Sequence, residues 1–168
     1  MNGWQHYRKL IRWKINTIGV EIQLKGNMST SAVTPPGKIK SRDQIRVLLV
    51  DDDPFQLQVI STVLRDIGFA DVTQAESGQL ALQALTSAKS NPFDLMLSDL
   101  HMPGMDGFQF MEEVAKMGFK GNLVIVSGQS EAVLNSASLV ARLRRFTLLG
   151  SIQKPVNRAT LSQVLSGL

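Results

Sequence analysis

Residues 93–108, FDLMLSDLHMPGMDGF, contain a short apolar run followed by a cluster of turn-forming residues. The run at 93–97, closed by Pro103 and Gly104, predicts a buried strand that opens into a loop. The end of this strand would place Asp99 at the carboxyl edge of a sheet, where open α/β folds bind their ligands.

A second acidic cluster has the same sequence context. The apolar run at 46–50 predicts another strand, and Asp51, Asp52 and Asp53 follow it directly. If the two strands are neighbours in a parallel sheet, these carboxylates converge with that of Asp99. Such a concentration of negative charge requires a cation, or protonation of some of the acids.

The remainder of the chain alternates between predicted strands and helices. Five alternating pairs over about 120 residues predict an α/β fold, with a five-stranded parallel sheet and helices on both faces. The predicted strands are 46–50, 70–73, 93–97, 123–126 and 148–152, and the predicted helices are 55–67, 80–85, 106–117, 131–146 and 156–165.

Length and charge limit the classes of function. A chain of 168 residues allows one domain with an appendage, and the absence of cysteine excludes disulfides and thiolate metal sites. Residues 1–45 carry eight basic and two acidic residues, whereas residues 46–168 carry ten basic and twelve acidic residues. The basic character therefore belongs to the N-terminal extension, which argues against a nucleic-acid surface on the folded domain.

The extension at 1–45 precedes the predicted domain at 46–168. Residues 1–27 have apolar residues at roughly helical spacing between basic residues, a pattern typical of a helix that docks on an anionic membrane. The alternative, which we favour, is a disordered or partly helical leader before a start at Met28. Residues 28–45 have the Ser, Thr, Pro and basic composition of a linker.

Four motifs occupy the ends of the predicted strands in a fixed order. They are VLLVDDDP, LSDLHMPGMDG, VIVSG and IQKP, and they span most of residues 46–168. In combination and spacing they resemble the receiver domains of two-component response regulators. The resemblance implies a flavodoxin-like (βα)5 fold and a function as a cytoplasmic phosphorelay switch.

Carried over residue by residue, the resemblance makes Asp99 the acceptor of a phosphoryl group. The donor would be a phosphohistidine on a sensor histidine kinase or a histidine phosphotransfer protein. Asp52, Asp99 and the backbone carbonyl of His101 would bind Mg²⁺ directly, and Asp51 would act mainly through a bound water, since this ion takes oxygen ligands and keeps several waters. The only chemistry implied is Mg²⁺-dependent phosphorylation and dephosphorylation of the domain itself, so we do not expect an enzyme acting on other substrates.

The resemblance also assigns two residues to the phosphoryl oxygens and one face to the output. Lys154 would pair with one phosphoryl oxygen and the Ser127 hydroxyl would hydrogen-bond to another, which offsets the charge gained. A downstream effector would bind the face formed by the fourth helix, the fifth strand and the fifth helix.

Several nearby residues have simpler interpretations. Asp53 before Pro54, and Asp106 before a glycine, are expected to cap the helices that follow. The imidazole of His101 is not an expected Mg²⁺ ligand, although it and Gln129 would influence how water reaches a phosphoaspartate. A trans peptide bond is the default before Pro155, whereas the resemblance implies a cis bond.

The match departs from the family at Ser151, where most receivers have an aromatic residue that moves during switching. The segment from Ser127 to Lys154 is also long, which predicts an extended fourth helix, and it resembles receivers joined to cyclic-di-GMP phosphodiesterase domains. Two alternatives therefore stay open: a regulatory fragment of such a phosphodiesterase, and an interaction module that works without phosphorylation. A haloacid-dehalogenase-like phosphatase is disfavoured, because it would leave Asp99 and Lys154 unexplained.

Overall fold

A computed structural model describes residues 40–168, and the leader at 1–27, with its alternative interpretation as a membrane-docking helix, and most of the predicted linker lie outside this range. The strands are β1 Arg46–Val50, β2 Asp71–Ala75, β3 Leu95–Asp99, β4 Asn122–Ser127 and β5 Thr147–Gln153. The helices are α1 Pro54–Asp66, α2 Gly78–Ser87, α3 Gly107–Lys116, α4 Glu131–Leu143 and α5 Arg158–Val164. A 3-10 turn at Arg42–Gln44 precedes β1.

The five strands form one parallel sheet in the order β2-β1-β3-β4-β5. The predicted α/β fold is therefore confirmed. The register aligns the strand ends, since Val50 pairs with Ser98, and Asp99 pairs with Val126. The residues that follow β1, β3, β4 and β5 consequently meet at one edge of the sheet.

Two hydrophobic cores lie on opposite faces of the sheet. Strand residues alternate between them because successive side chains of a strand point to opposite faces. One core contains buried residues of α2, α3 and α4, namely Ala81, Phe110, Met111, Val114, Leu134, Ala137 and Ala141. The other contains buried residues of α1 and α5, namely Leu57, Ile60, Leu64, Leu161 and, just past α5, Leu165. Both faces of the sheet are thus covered, as the prediction required.

The helices begin at polar caps. The carboxylate of Asp53 accepts a hydrogen bond from the Phe55 amide at 2.9 Å, and that of Asp106 accepts one from the Gln109 amide at 2.8 Å. A side-chain oxygen in this position satisfies an amide that has no partner within the helix. The capping predictions for both aspartates are confirmed.

The fourth helix ends earlier than the sequence predicted. It stops at Leu143 rather than at residue 146, and Arg145 adopts a left-handed backbone conformation with φ 65°. The amide of Phe146 then donates to the Ala141 carbonyl at 3.0 Å, which closes the helix end in the manner of a Schellman motif. This motif usually has glycine at the position of Arg145, so the sequence contained no signal for the end of the helix. The prediction of an extended fourth helix was therefore wrong at its carboxyl end.

Two further boundaries differ from the sequence-based expectation. The central strand begins at Leu95, and Phe93 lies before it, buried in the core. The last helix begins at Arg158 because the Asn157 side chain accepts from the Thr160 amide at 2.9 Å.

The Lys154–Pro155 peptide bond is cis, as the resemblance implied, rather than in the default trans form.

Residues before β1 also contact the domain. The Arg42 guanidinium donates to the carbonyls of Ile67, Leu165 and Leu168 at 3.1, 3.0 and 3.2 Å. The first two carbonyls lie at the carboxyl ends of α1 and α5, where helix carbonyls lack internal partners. Arg42 therefore links the ends of two helices that share one face of the sheet.

Within residues 40–168, we find no helix with the length and apolar character needed to cross a membrane.

Gly107 lets the start of α3 approach the loop that follows Asp99. A Cβ at this position would lie 2.5 Å from the Leu100 Cα and 2.8 Å from the Leu100 carbonyl oxygen. We expect Gly107→Ala to lower the free energy of unfolding in urea by about 1–3 kcal/mol, because backbone atoms must move. Gly128→Ala is the matched control, since a Cβ there meets no atom of the described structure within 4 Å. Equal stability of the two variants would contradict this interpretation.

Candidate functional site

A lysine and two buried aspartates from three different strand ends form an ion cluster. The Lys154 ammonium lies 2.6 Å from the Asp51 Oδ2 atom and 2.7 Å from the Asp99 Oδ2 atom. The Asp51 and Asp99 side chains are 2% and 6% exposed, and that of Lys154 is 16% exposed. Little water reaches these charges, so they interact strongly.

The Asp99 carboxylate is held at both oxygens. Its Oδ1 atom accepts from the backbone amides of Leu100 and His101, at 2.6 and 3.2 Å, and its Oδ2 atom accepts from Lys154. Three donors on one carboxylate fix its orientation at the end of β3. A positioned carboxylate of this kind can serve as a nucleophile.

The Asp51 carboxylate accepts fewer hydrogen bonds than that of Asp99. Its Oδ1 atom accepts from the Asp53 amide at 3.1 Å, but its buried Oδ2 atom has no hydrogen-bond donor among the described residues. The close approach of Lys154 to Oδ2 is thus an ion pair without hydrogen-bond geometry. Burial raises the pKa of Asp51. The Lys154 ammonium and the Asp53 amide partly offset this rise, whereas the Asp99 carboxylate adds to it.

Lys154 remains an ammonium in this environment. Burial, the largest single influence, lowers the pKa of Lys154, but the contacts with Asp51 and Asp99 together outweigh it and raise the pKa above 10.5. The group therefore keeps its positive charge throughout the neutral range. It offsets part of the negative charge at this edge of the sheet.

The aspartates offer a set of oxygen ligands. One carboxylate oxygen each from Asp51, Asp52 and Asp99 can be chosen so that all lie within 4.8 Å of one another. Asp52 is exposed, so the cluster opens towards solvent on that side. Carboxylate oxygens are the ligands that Mg²⁺ prefers. The buried Asp51 Oδ2 atom pairs with the Lys154 ammonium but accepts no hydrogen bond within residues 40–168, so these residues fit such an ion. Asp53 is not part of this group, because its carboxylate caps α1.

Ser127 lies at the same edge, but not in the ion cluster. It ends β4 one residue after Val126, the partner of Asp99, and it is fully buried. Its carbonyl accepts from the Lys154 amide at 2.8 Å, and its hydroxyl accepts from the Gln129 amide at 3.3 Å. The backbone of Ser127 thus holds the chain segment that carries Lys154.

His101 contributes its backbone to the site. Its amide donates to Asp99, whereas its side chain is exposed and makes no hydrogen bond within residues 40–168.

Two contacts in the site were missed by the sequence analysis. The ion pair between Asp51 and Lys154 was not predicted, although their opposite charges at neighbouring strand ends were a signal for it. The short hydrogen bond from the Leu100 amide to Asp99 comes from backbone geometry, for which the sequence carries no signal. Both contacts increase the constraint on the two buried carboxylates.

Comparison with known proteins identifies a family whose sequence matches this chain. Residues 47–166 match the model of the response regulator receiver domain. The chain is 33% identical over 127 residues to the two-component response regulator ORR41 of Oryza sativa subsp. japonica, covering 75% of this chain and 95% of that protein.

A longer relative and a solved structure indicate the same family. The sensor histidine kinase GacS of Pseudomonas protegens is 34% identical over 137 residues, which is 80% of this chain but only 14% of the length of the kinase. The chemotaxis protein CheY4 of Vibrio cholerae superposes with a TM-score of 0.60 at 28% identity, covering 73% of this chain and 97% of that one. Taken with the aspartate and lysine cluster, these matches show that the chain belongs to the response regulator receiver domain family.

Proposed function

We propose that Asp99 accepts a phosphoryl group from a phosphohistidine on a sensor histidine kinase or a histidine phosphotransfer protein. The observation that carries this proposal is the Asp99 carboxylate, buried and held by two backbone amides and the Lys154 ammonium. In the transfer, a carboxylate oxygen of Asp99 forms a bond to phosphorus while the bond from phosphorus to the histidine nitrogen breaks. The electron pair of that bond remains on the imidazole of the donor.

Asp51, Asp52, Asp99 and the backbone carbonyl of His101 are the proposed ligands of Mg²⁺. When bound, this ion would offset the negative charge of the phosphoryl oxygens near the nucleophile. The composition of the cluster supports the assignment, because it contains three carboxylates and a single ammonium, that of Lys154.

Lys154 and Ser127 are the proposed contacts of the phosphoryl group after transfer. Lys154 already lies 2.7 Å from one Asp99 oxygen, so an ammonium is available where new negative charge appears. The Ser127 hydroxyl accepts a hydrogen bond from Gln129, which leaves its own proton free to donate to a phosphoryl oxygen. His101 and Gln129 are proposed to influence the access of water to the product.

The proposed output is a change on the face formed by α4, β5 and α5. Ser151 of β5 is exposed and is not aromatic, so the signal does not depend on a moving ring at that position. Two contacts connect the site with β5 instead: the Lys154 amide with the Ser127 carbonyl, and the Gln153 side chain with the Gln129 carbonyl at 3.3 Å. Movement of Ser127 towards a phosphoryl group would alter both contacts.

The proposed activity is confined to phosphorylation and dephosphorylation of the domain itself, in the cytoplasm. The buried Asp99–Lys154 pair favours this function over an interaction module that works without phosphorylation. The similarity to the response regulator ORR41 and to CheY4 favours it likewise over a regulatory fragment of a cyclic-di-GMP phosphodiesterase.

A small phosphodonor with Mg²⁺ tests the acceptor. We expect the wild type to take up label and Asp99→Ala to lose it, because the nucleophile is removed. Asp106→Asn is the matched control: it changes a nearby acidic residue but keeps a side chain that caps α3 equally well. Intact-mass spectrometry measures the phosphoryl group directly. Full labelling of Asp99→Ala would refute the assignment.

The affinity for Mg²⁺ should depend on pH through Asp51. Its raised pKa means that protons compete with the ion at a higher pH than they would for an aspartate of pKa 3.8. We therefore expect the affinity, measured by isothermal titration calorimetry, to fall as the pH is lowered from 8 towards about 5. Asp51→Asn should bind Mg²⁺ more weakly and with a shallower pH dependence. An unchanged pH dependence in this variant would show that Asp51 is not the group involved.

Asp51 should also reduce stability when Mg²⁺ is absent. Because its pKa is raised on folding, its contribution is most favourable below its unfolded pKa and is lost as the pH rises through the folded value. At pH 7 without Mg²⁺, we expect Asp51→Asn to raise the free energy of unfolding by an amount on the order of 1 kcal/mol. Saturating Mg²⁺ should reverse the order. A less stable Asp51→Asn protein without Mg²⁺ would contradict the expected sign.

A further inference from the structure

A groove lies at the amino-terminal edge of the sheet, opposite the edge that carries Asp99. Its volume is about 680 Å³, which is within the range of small-molecule sites. Three segments line it: the end of α2 within residues 85–89, the turn before β3 at 92–94, and the loop between α3 and β4 at 117–122. None of these residues belongs to the ion cluster, so the groove is a separate feature of the domain.

The loop between α3 and β4 forms a fixed wall of the groove. The Gly118 amide donates to the Ala115 carbonyl at 3.0 Å, and the positive φ of Gly118, 73°, turns the chain away from α3. A Cβ on Gly121 would clash with the Phe119 ring and would lie 2.8 Å from the Phe93 carbonyl oxygen. Gly121 therefore lets the ring lie close to the turn before β3. The wall is built by the fold before any ligand binds, which lowers the cost of binding.

Apolar side chains line much of the groove. Phe93 is buried, whereas Met117 is 42% exposed. An apolar lining favours a ligand with an apolar body, and a flexible methionine adapts to its shape. The apolar lining residues are Leu85, Ala88, Pro92, Phe93, Met117 and Phe119.

The two unpaired lysines of the domain both line this groove. Residues 40–168 contain five lysines, and three of them pair with carboxylates, namely Lys40, Lys116 and Lys154. The other two, Lys89 and Lys120, are exposed and have no carboxylate within 4.0 Å among residues 40–168. Both are lining residues of the groove, one from each side. Unpaired positive charge is thus concentrated beside the apolar lining.

The negative charge at the groove is already neutralised. Asp94 is the acidic residue among those that line it, and its carboxylate accepts from the Lys40 ammonium at 2.6 and 2.8 Å and from the Arg46 amide at 2.9 Å. Lys89 and Lys120 are therefore not needed to balance Asp94. The groove carries a net positive charge and complements an anion.

The helix ends offer the two lysines a simpler role. The carboxyl ends of α2 and α3 lie at the groove, and the carbonyls there carry partial negative charge that attracts cations. However, the lysine ammoniums that donate hydrogen bonds within residues 40–168 are those of Lys40, Lys116 and Lys154. Neither Lys89 nor Lys120 binds a helix carbonyl in the structure. Both ammoniums are available to a ligand.

We propose that this groove binds a small amphipathic carboxylate. Its apolar tail contacts Met117 and Phe119, and its carboxylate pairs with Lys89 and Lys120. A carboxylate is the anion with which each of the other three lysines of the domain pairs. The inference goes beyond the proposed function, because the groove shares no residue with the site around Asp99 and neither requires the other.

Size and charge argue against larger occupants. A protein interface covers a broad surface, whereas this groove has the volume of a small-molecule site. A two-fold dimer would place the same surface of each subunit against the other, so the lysines of one copy would face those of the second. Such a contact brings like charges together and is disfavoured.

Decanoate is the probe for the full chain. Decanamide and decylammonium have apolar tails of similar length but a neutral and a positive head group. Amide NMR shifts of the isotopically labelled protein measure both the location and the affinity of binding. We expect decanoate to shift the amides of residues 117–122 most, and to bind at least about fivefold more tightly than decylammonium, because two ammoniums face its head group.

Three variants separate the charge, the apolar lining and a general effect of net charge. We expect Lys89→Gln/Lys120→Gln to bind decanoate about fivefold more weakly, and Met117→Gln about threefold more weakly. Arg142→Gln/Arg158→Gln is the matched control, since it removes two exposed and unpaired positive charges outside the groove. This control should bind within about twofold of the wild type. Circular dichroism of each variant shows whether it is folded.

Four results would overturn the inference. Equal binding of decylammonium would show that the groove does not select an anion. Equal weakening by the lysine and arginine variants would indicate an effect of net charge alone. Shifts confined to residues outside the groove, those of 1–39 included, would place the ligand elsewhere. Self-association of the wild type in sedimentation velocity, lost in the lysine variant, would assign the groove to a second copy of the chain.

Discussion

The candidate site depends on one electrostatic arrangement: the Lys154 ammonium lies between the Asp51 and Asp99 carboxylates, at 2.6 and 2.7 Å. Two aspartates buried this deeply repel one another, and desolvation makes their charged forms costly. One ammonium cannot fully neutralise these two carboxylates and that of Asp52 beside them. The site therefore retains an attraction for a further cation, and this excess negative charge is the physical basis of the proposed Mg²⁺ binding.

The parallel sheet brings these residues together from distant parts of the sequence. Asp51, Asp99 and Lys154 follow or end three different strands, and the register between strands sets their relative heights. The apolar strands are buried on both faces, so they cannot shift by one residue without exposing core side chains. Precise placement of the charges is thus a consequence of the hydrophobic cores. The close approach of Gly107 to Leu100 adds a local constraint on the loop that follows Asp99.

The sequence predicted the sheet and the charged residues well, and the backbone details poorly. Apolar runs closed by turn residues indicated the central strands β1, β3 and β4, because burial on both faces leaves a clear pattern. The edge strands β2 and β5 are partly exposed and were indicated mainly by the alternation with helices. The end of α4 was missed, since Arg145 adopts a conformation that favours glycine. On α1, Phe55 belonged to the predicted apolar stripe but is 69% exposed, and Leu57 is buried in its place. The buried residues Leu57, Ile60 and Leu64 lie at positions i, i+3 and i+7, so the apolar spacing contained this information and the prediction overlooked Leu57.

Lys154 links the acidic site with the carboxyl-terminal part of the domain. It is the ammonium of the ion cluster, and it follows β5 directly within residues 132–168, which contain five basic residues and no acidic one. Its backbone amide is tied to Ser127, and its side chain is tied to two carboxylates. A phosphoryl group on Asp99 would compete with Asp51 for the ammonium, while Ser127 would be drawn to the same oxygens. Under the proposed function, both changes would act on the start of the β5–α5 connection, through short contacts that the structure contains. Such a route would not require an aromatic side chain at position 151.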